Sequence, residues 1–202
     1  MMERFRAFWP KVFSPVARLF LRLGISPDAV TSVGTLGVCA GALVFFPRGQ
    51  LLVGVLVIVA FVFSDLVDGQ MARLGGTSST WGAFRDSTLD RFGDAAIFAG
   101  LAFYYVGPGD SEPLMALAIY CLVMGSVTSY ARARAESLGM QAKGGIAERA
   151  DRLVAVLAMT GLSDLLNLPV LIPIVLGALA VASTVTVVQR MVMVRNQAKA
   201  TP

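Results

Sequence analysis

Residues 65–90 read D-L-V-D-G-Q-M-A-R-L-G-G-T-S-S-T-W-G-A-F-R-D-S-T-L-D, with two acids before a turn rich in Gly and Ser and two after it. Apolar sequence flanks the stretch: Leu51 to Phe63 ahead of it, and the run that ends at Val106 behind it. An ionised side chain inside a membrane helix costs roughly 2.5 to 3.5 kcal/mol on insertion scales, so a cluster of them demands an account. Asp65 and Asp68 stand at i, i+3, and Asp86, Asp90 and Asp94 at i, i+4, i+8, so each set lines one helical face. At 1.5 Å per residue, Asp65 lies roughly 22 Å from the start of its helix at Leu51. Asp86 and Asp90 lie about 6 and 12 Å beyond Gly82, at matching depth on an antiparallel neighbour. Convergent carboxylates repel in low dielectric unless cations sit among them, and hard oxygen ligands favour magnesium or manganese over zinc. The competing account is a salt-bridge network in which Arg73, Arg85 and Arg91 neutralise the acids.

The rest of the composition agrees with a membrane setting. Of 202 residues, 56% are hydrophobic and 15% charged, against roughly a quarter charged in a soluble domain, and the mean hydropathy is +0.71. The net charge of +4 is not gathered into one basic run, which argues against a nucleic-acid partner. Cys39 and Cys121 lie in apolar stretches without paired or metal-ligand spacing and read as core residues. Histidine is absent, so proton transfer and metal binding must rest on carboxylates.

Outward from the acidic pair, the chain reads as all-α, with six transmembrane helices and an N-terminal amphipathic helix. Residues 1–24 combine a helical apolar period with Arg4, Arg6, Lys11, Arg18 and Arg22. That pattern predicts a helix lying along the interface, and the stretch lacks the uninterrupted apolar core and cleavage site of a signal peptide. Ser26-Pro27 is a helix start, an N-cap followed by proline at the first helical position. Spans are expected from there to about Phe46, from Leu51 to about Arg73, from Gly82 to Val106, from Pro113 to Leu138, from Ile146 to Leu166 and from Val170 to Met191. The six-helix unit occupies residues 25–195, followed by a short tail, 196–202. This alternation puts 16 of the 17 basic residues on one side, leaving Arg48 on the other, so both termini and the acids are expected at the cytoplasmic face of the cell membrane.

Asp65, Asp68, Gly69, Ala72, Arg73, Gly82, Asp86 and Asp90 match D-x2-D-G-x2-A-R-x8-G-x3-D-x3-D, and on these residues the chain resembles the CDP-alcohol phosphotransferases. The resemblance implies a six-helix membrane enzyme, usually homodimeric, with two divalent ions (Mg2+, or Mn2+) and the CDP group of a CDP-linked lipid held by the motif. It casts Asp65, Asp68, Asp86 and Asp90 as metal ligands, Asp90 also as general base, and Gly69, Ala72, Arg73 and Gly82 as nucleotide contacts. The residue chemistry is compatible. Gly69 and Ala72 let a nucleotide approach the backbone, Arg73 can pair with a phosphate, and in the absence of histidine a carboxylate must take the acceptor proton. Asp28, in the first turn of the first span, complements the helix dipole or contacts the donor. Asp94 lies one turn beyond the motif, either supporting its neighbours through a hydrogen bond or pairing with a buried polar group.

For the acceptor, Arg132, Arg149, Arg152 and Arg190 are expected on the same side as the acids, where guanidinium groups can hold an anionic sugar or polyol phosphate. They can equally enforce topology and touch lipid headgroups. S-P-D-A-V-T (26–31), Y-A-R-A-R-A-E (130–136) and E-R-A-D-R-L (148–153) look like the actinobacterial members of the family that use CDP-diacylglycerol and inositol 1-phosphate. In these the acceptor phosphate is expected near the positions of Arg132, Arg152 and Arg190, with a lysine common where Arg132 stands. Members that accept glycerol 3-phosphate remain the alternative. A divalent-cation transporter is the remote one, since it would place its acids near the midplane among inverted repeats, and none is seen.

Overall fold

The computed structural model describes residues 14–76 and 79–200, apart from the side chains of Asp65, Leu66 and Ala72. The expected N-terminal helix therefore lies outside the described residues up to position 13. Its described part, α1, is helical over 14–22. Ala17 of α1 is fully buried against Val30, Val67 and Met71, while Leu19 and Leu23 are exposed, as an interfacial helix with an outward apolar edge requires.

The first span begins where the Ser26-Pro27 signal places it. The Ser26 hydroxyl accepts from the Ala29 N–H at 3.1 Å, and α2 runs Pro27–Ala40. It continues through a wide π-helical turn, Gly41–Phe45, and a tight 3-10 turn, Phe46–Arg48, to Gly49 at φ 74°. The second span is two helices, α3 (Leu51–Val62) and α4 (Ser64–Gly75). At the junction, the Ser64 hydroxyl donates to the Phe61 carbonyl at 2.6 Å, a local alternative to the helical ladder immediately before the first acid. There follow α5 (Thr80–Val106), α6 (Glu112–Ser137), α7 (Arg149–Leu165) and α8 (Leu171–Ala200). All regular structure among the described residues is helical.

Among the described residues, four helical stretches, Pro27–Arg48, Leu51–Gly75, Glu112–Ser137 and Leu171–Ala200, are long and apolar enough to cross a membrane. The 27-residue α5 has the length, but its first half carries Arg85, Asp86, Asp90, Arg91 and Asp94. The 17 residues of α7 span roughly 25 Å. Expected and observed boundaries differ most in these later helices. α7 starts at Arg149, not near Ile146, because Gly144 and Gly145 adopt φ of 94° and 135° and a Glu148–Asp151 capping box sets the start. α8 runs past Met191 to Ala200, so Arg190 sits inside the helix instead of closing it. Its last turns are held by Gln197, which accepts from the Gln141 N–H at 2.9 Å and donates to the Gln141 carbonyl at 2.6 Å.

The apolar core joins Phe46, Ile58, Ile97, Leu101, Val156, Ile172 and Leu176. Gly100 permits a close backbone approach within it, since a Cβ there would lie 2.7 Å from the Ala42 carbonyl in the wide turn. Large apolar side chains such as Leu36, Val106, Val154, Val181 and Met191 point outward, the surface expected to meet lipid acyl chains. Side-chain contacts separate the two ends of the bundle. At one end, Asp164 of α7 accepts from the Leu52 N–H at 2.8 Å, capping α3 from another helix, and Gly49 packs near Pro108. The other end collects the start of α2, the end of α4, the start of α5, the end of α6 and the start of α7, and there lie the acids.

Candidate active site

α4 and α5 both pack on α2, and the Arg149 side chain reaches α5 from the start of α7. Asp68, 7% exposed, accepts the Thr31 hydroxyl proton at 2.5 Å across the α2–α4 contact. Asp86 of α5 is exposed and lies within electrostatic reach of both Asp68 and Asp90. Among the described residues, neither Asp68 nor Asp86 has an arginine or lysine within ion-pair distance. The backbone of Asp65 is helical one turn before Asp68, but its side chain lies outside the described residues.

The salt-bridge account holds for part of the cluster only. Arg85 pairs with Asp28 at 3.2 Å and also donates to the Asp28 backbone carbonyl, tying the start of α2 to α5. Arg91 lies 3.8 Å from Asp90 and 3.7 Å from Asp94. Arg149, one of the four arginines read on the side of the acids, is bound by two of them, with Nη1 2.9 Å from Asp90 Oδ2 and Nε donating to both oxygens of Asp94 at 3.0 and 3.1 Å. Arg73 is exposed at the end of α4 and makes no ion pair among the described residues. Asp94 is thus an ion-pair partner. Asp68 and Asp86, toward the open end, are left as acids needing a cation.

Those two acids bear on whether the site suits a divalent metal. No group of three ligating side chains stands assembled among the described residues, a set that lacks the Asp65 carboxylate. The donors that face one another are nonetheless all carboxylate oxygens with mutual repulsion, the chemistry that suits Mg2+ or Mn2+. Beside them, a Cβ built on Gly69 meets nothing within 4 Å, so the α4 surface next to Asp68 is open to a ligand. Gly82 is half-buried, and its N–H is donated to the Ser79 hydroxyl that caps α5, at 3.0 Å. The side chain of Ala72 lies outside the described residues.

Arg152 and Arg190 are 3% and 4% exposed. Arg152 donates to the carbonyls of Ala147 (3.2 Å) and Gly125 (3.5 Å); Arg190 donates to those of Thr128 (2.5 Å) and Gly144 (3.2 Å). Neither makes an ion pair among the described residues, and a buried cation satisfied only by carbonyl dipoles retains an affinity for an anion. Arg132 differs from them in being half exposed and paired with Glu136 at 3.0 Å, and it lies within electrostatic reach of Arg190.

Sequence reasoning missed Thr31 and the pairing of Arg149. Thr31 closes the S-P-D-A-V-T stretch and shares a helical face with Asp28, the one signal that placed it near the site. We expect Thr31→Val to leave the Asp68 carboxylate without its hydrogen-bond donor and to weaken divalent-metal dependence about tenfold. The check is a magnesium titration of turnover against the wild type.

On the apolar side, a groove of about 440 Å³ runs between α1, α2 and the α3–α4 junction, lined by Phe20, Ile25, Val33, Phe61, Phe63 and Val67. It ends one residue from Asp68 along α4.

The pattern of the CDP-alcohol phosphatidyltransferase family matches residues 24–146. Phosphatidylinositol phosphate synthase of Streptomyces avermitilis is 52% identical over 198 residues, covering 95% of this chain and 81% of that protein. The protein of the same name from Cutibacterium acnes is 51% identical over 203 residues, covering 97% and 98%. A crystal structure of Mycobacterium tuberculosis phosphatidylinositol phosphate synthase with CDP-DAG bound has a TM-score of 0.88 at 41% identity, covering 91% of this chain and 94% of that one. Another of that protein, in complex with manganese and citrate, has a TM-score of 0.87 at 42% identity, covering 90% and 88%.

Proposed function

Because the chain belongs to the CDP-alcohol phosphatidyltransferase family, we propose that it transfers the phosphatidyl group of CDP-diacylglycerol to the hydroxyl of inositol 1-phosphate, giving phosphatidylinositol phosphate and CMP. The observation that carries the acceptor class is the pair of buried arginines, Arg152 and Arg190, without acidic partners at the acidic end of the bundle. With Arg132 they form the acceptor-phosphate site.

Asp65, Asp68, Asp86 and Asp90 would hold two divalent ions, Mg2+ or Mn2+. When bound, such ions neutralise a pyrophosphate and ease departure of CMP. The chain's own residues do the remaining work. Gly69, Ala72, Arg73 and Gly82 seat the CDP group over the open face of α4, with Asp28 at its edge. The groove along α1 and α2 receives an acyl chain of the donor. The acceptor hydroxyl attacks the lipid phosphorus, its proton passes to Asp90, and the bond from that phosphorus to the CMP oxygen breaks. The reading further takes six spans, α5 and α7 completing the four long apolar ones, with termini and site at the cytoplasmic face and a homodimer as the working unit. The 16 basic residues assigned to one side support that orientation.

The test is CMP release by the detergent-purified protein with magnesium and CDP-diacylglycerol, offering inositol 1-phosphate, free inositol and glycerol 3-phosphate separately. Turnover with inositol 1-phosphate alone is expected. Turnover with glycerol 3-phosphate instead would keep the family and overturn the acceptor. The open face at Gly69 makes a separate prediction. Gly69→Leu projects into the nucleotide's space and touches no protein atom at its Cβ, so the donor KM should rise at least tenfold with little change in thermal stability.

A further inference from the structure

Asp94 lies outside the family motif, and no step above uses it. Its side chain is 14% exposed, one helical turn from Asp90 on the same face of α5. Both its oxygens are taken by the Nε of Arg149, at 3.0 and 3.1 Å. Arg149 is the first residue of α7, where the positive end of the helix dipole disfavours a cation, so the helix itself gives no reason for its charge. The acids on α5 hold it there. Its Nη1 then reaches Asp90 at 2.9 Å, and Arg91 approaches the same carboxylate at 3.8 Å. In both pairs the shortest contact falls on Oδ2. Among the described residues no hydrogen bond reaches Oδ1 of Asp90.

We propose that Asp94 is a positioning residue that acts through Arg149: by occupying the Nε edge of the guanidinium it confines Arg149 to one oxygen of Asp90, keeping the second oxygen open. The proposal rests on the reading of Asp90 as proton acceptor and metal ligand. A guanidinium presents five N–H donors in a planar fork, and its preferred arrangement on a carboxylate is bidentate. As built, two acids face two arginines, Asp90 and Asp94 against Arg91 and Arg149. Without Asp94, both cations converge on Asp90 alone, and Arg149 is free to rotate its fork onto both oxygens. The carboxylate then has no open oxygen with which to take a proton or meet a cation.

The experiment is a double-mutant cycle on the full-length protein in detergent, with Asp94→Ala, Arg149→Gln and the double variant. Read-outs are kcat, both KM values and Mn2+ affinity, the last from the loss of the free-ion electron paramagnetic resonance signal. Asp94→Ala is expected to lower kcat about 10- to 100-fold and to weaken Mn2+ binding about tenfold. In the Arg149→Gln background the same substitution should cost less than twofold in either quantity, because the group it restrains is gone. Equal losses in both backgrounds would overturn the proposal, since Asp94 would then act independently of Arg149. Asp94→Asn keeps an oxygen for Nε and supplies a better-folded variant should alanine fail to yield protein. It is expected to fall between wild type and alanine, and wild-type kcat and Mn2+ affinity in it would overturn the need for the charged pair. Asp90→Asn, run alongside, separates the two readings. Full turnover there sinks the assignment of Asp90, whereas loss there with additive Asp94 and Arg149 effects sinks only the inference.

Discussion

Asp90→Asn is expected to lower kcat by roughly 10²- to 10⁴-fold, the range of a lost general base, with a further loss wherever metal affinity limits. Asparagine preserves the shape of the side chain and an oxygen for Arg149. Arg149 also retains Asp94 on its other edge, so the substitution leaves no buried cation without a partner. The loss therefore reports chemistry and not collapse of α5. A thermal melt near that of wild type, together with CMP release at background, is the expected pair of results. Turnover within tenfold of wild type would move the proton acceptor to another carboxylate, with Asp86 the nearest candidate by electrostatic coupling.

Arg152→Ala carries the second large effect, a rise in acceptor KM of about 10²-fold. Two charge-assisted hydrogen bonds at roughly 1.5 to 3 kcal/mol each support a change of that order, reduced by the carbonyl contacts that the guanidinium gives up on binding. The substitution also removes a donor from the Ala147 carbonyl in a buried place, so stability will fall as well. The split between kinetic constants separates the two consequences: acceptor KM rises and donor KM holds. Arg152→Lys retains the charge without the fork and should give an intermediate acceptor KM. An unchanged acceptor KM in both variants would remove Arg152 from the acceptor site.

Much of the architecture was legible in residue order because helical periodicity is local. The i, i+3 and i, i+4 spacings of the aspartates put each set on one face whatever the rest of the chain does, and Ser26-Pro27 marks a helix start by its own capping chemistry. Boundaries that depend on other elements were read less well. α7 starts late because two glycines take positive φ and one of them, Gly145, packs under Thr186 of α8, where a Cβ would lie 2.3 Å from that side chain. α8 runs long because Gln197 finds the backbone of Gln141, 56 residues away.

The sequence by itself determined that this is a membrane protein of helices, that each set of acids lines one helical face, and that their spacing is that of the CDP-alcohol phosphatidyltransferases. Only the tertiary structure decided the partners. Arg85 goes to Asp28 and not to the motif acids, Arg149 to Asp94 and Asp90, Thr31 to Asp68, and Arg152 and Arg190 to carbonyls alone. The physical reason is the length and freedom of the cationic side chains. An arginine near several acids in the sequence has more than one within reach, and the choice among them falls to the packing register between helices, which no local period encodes.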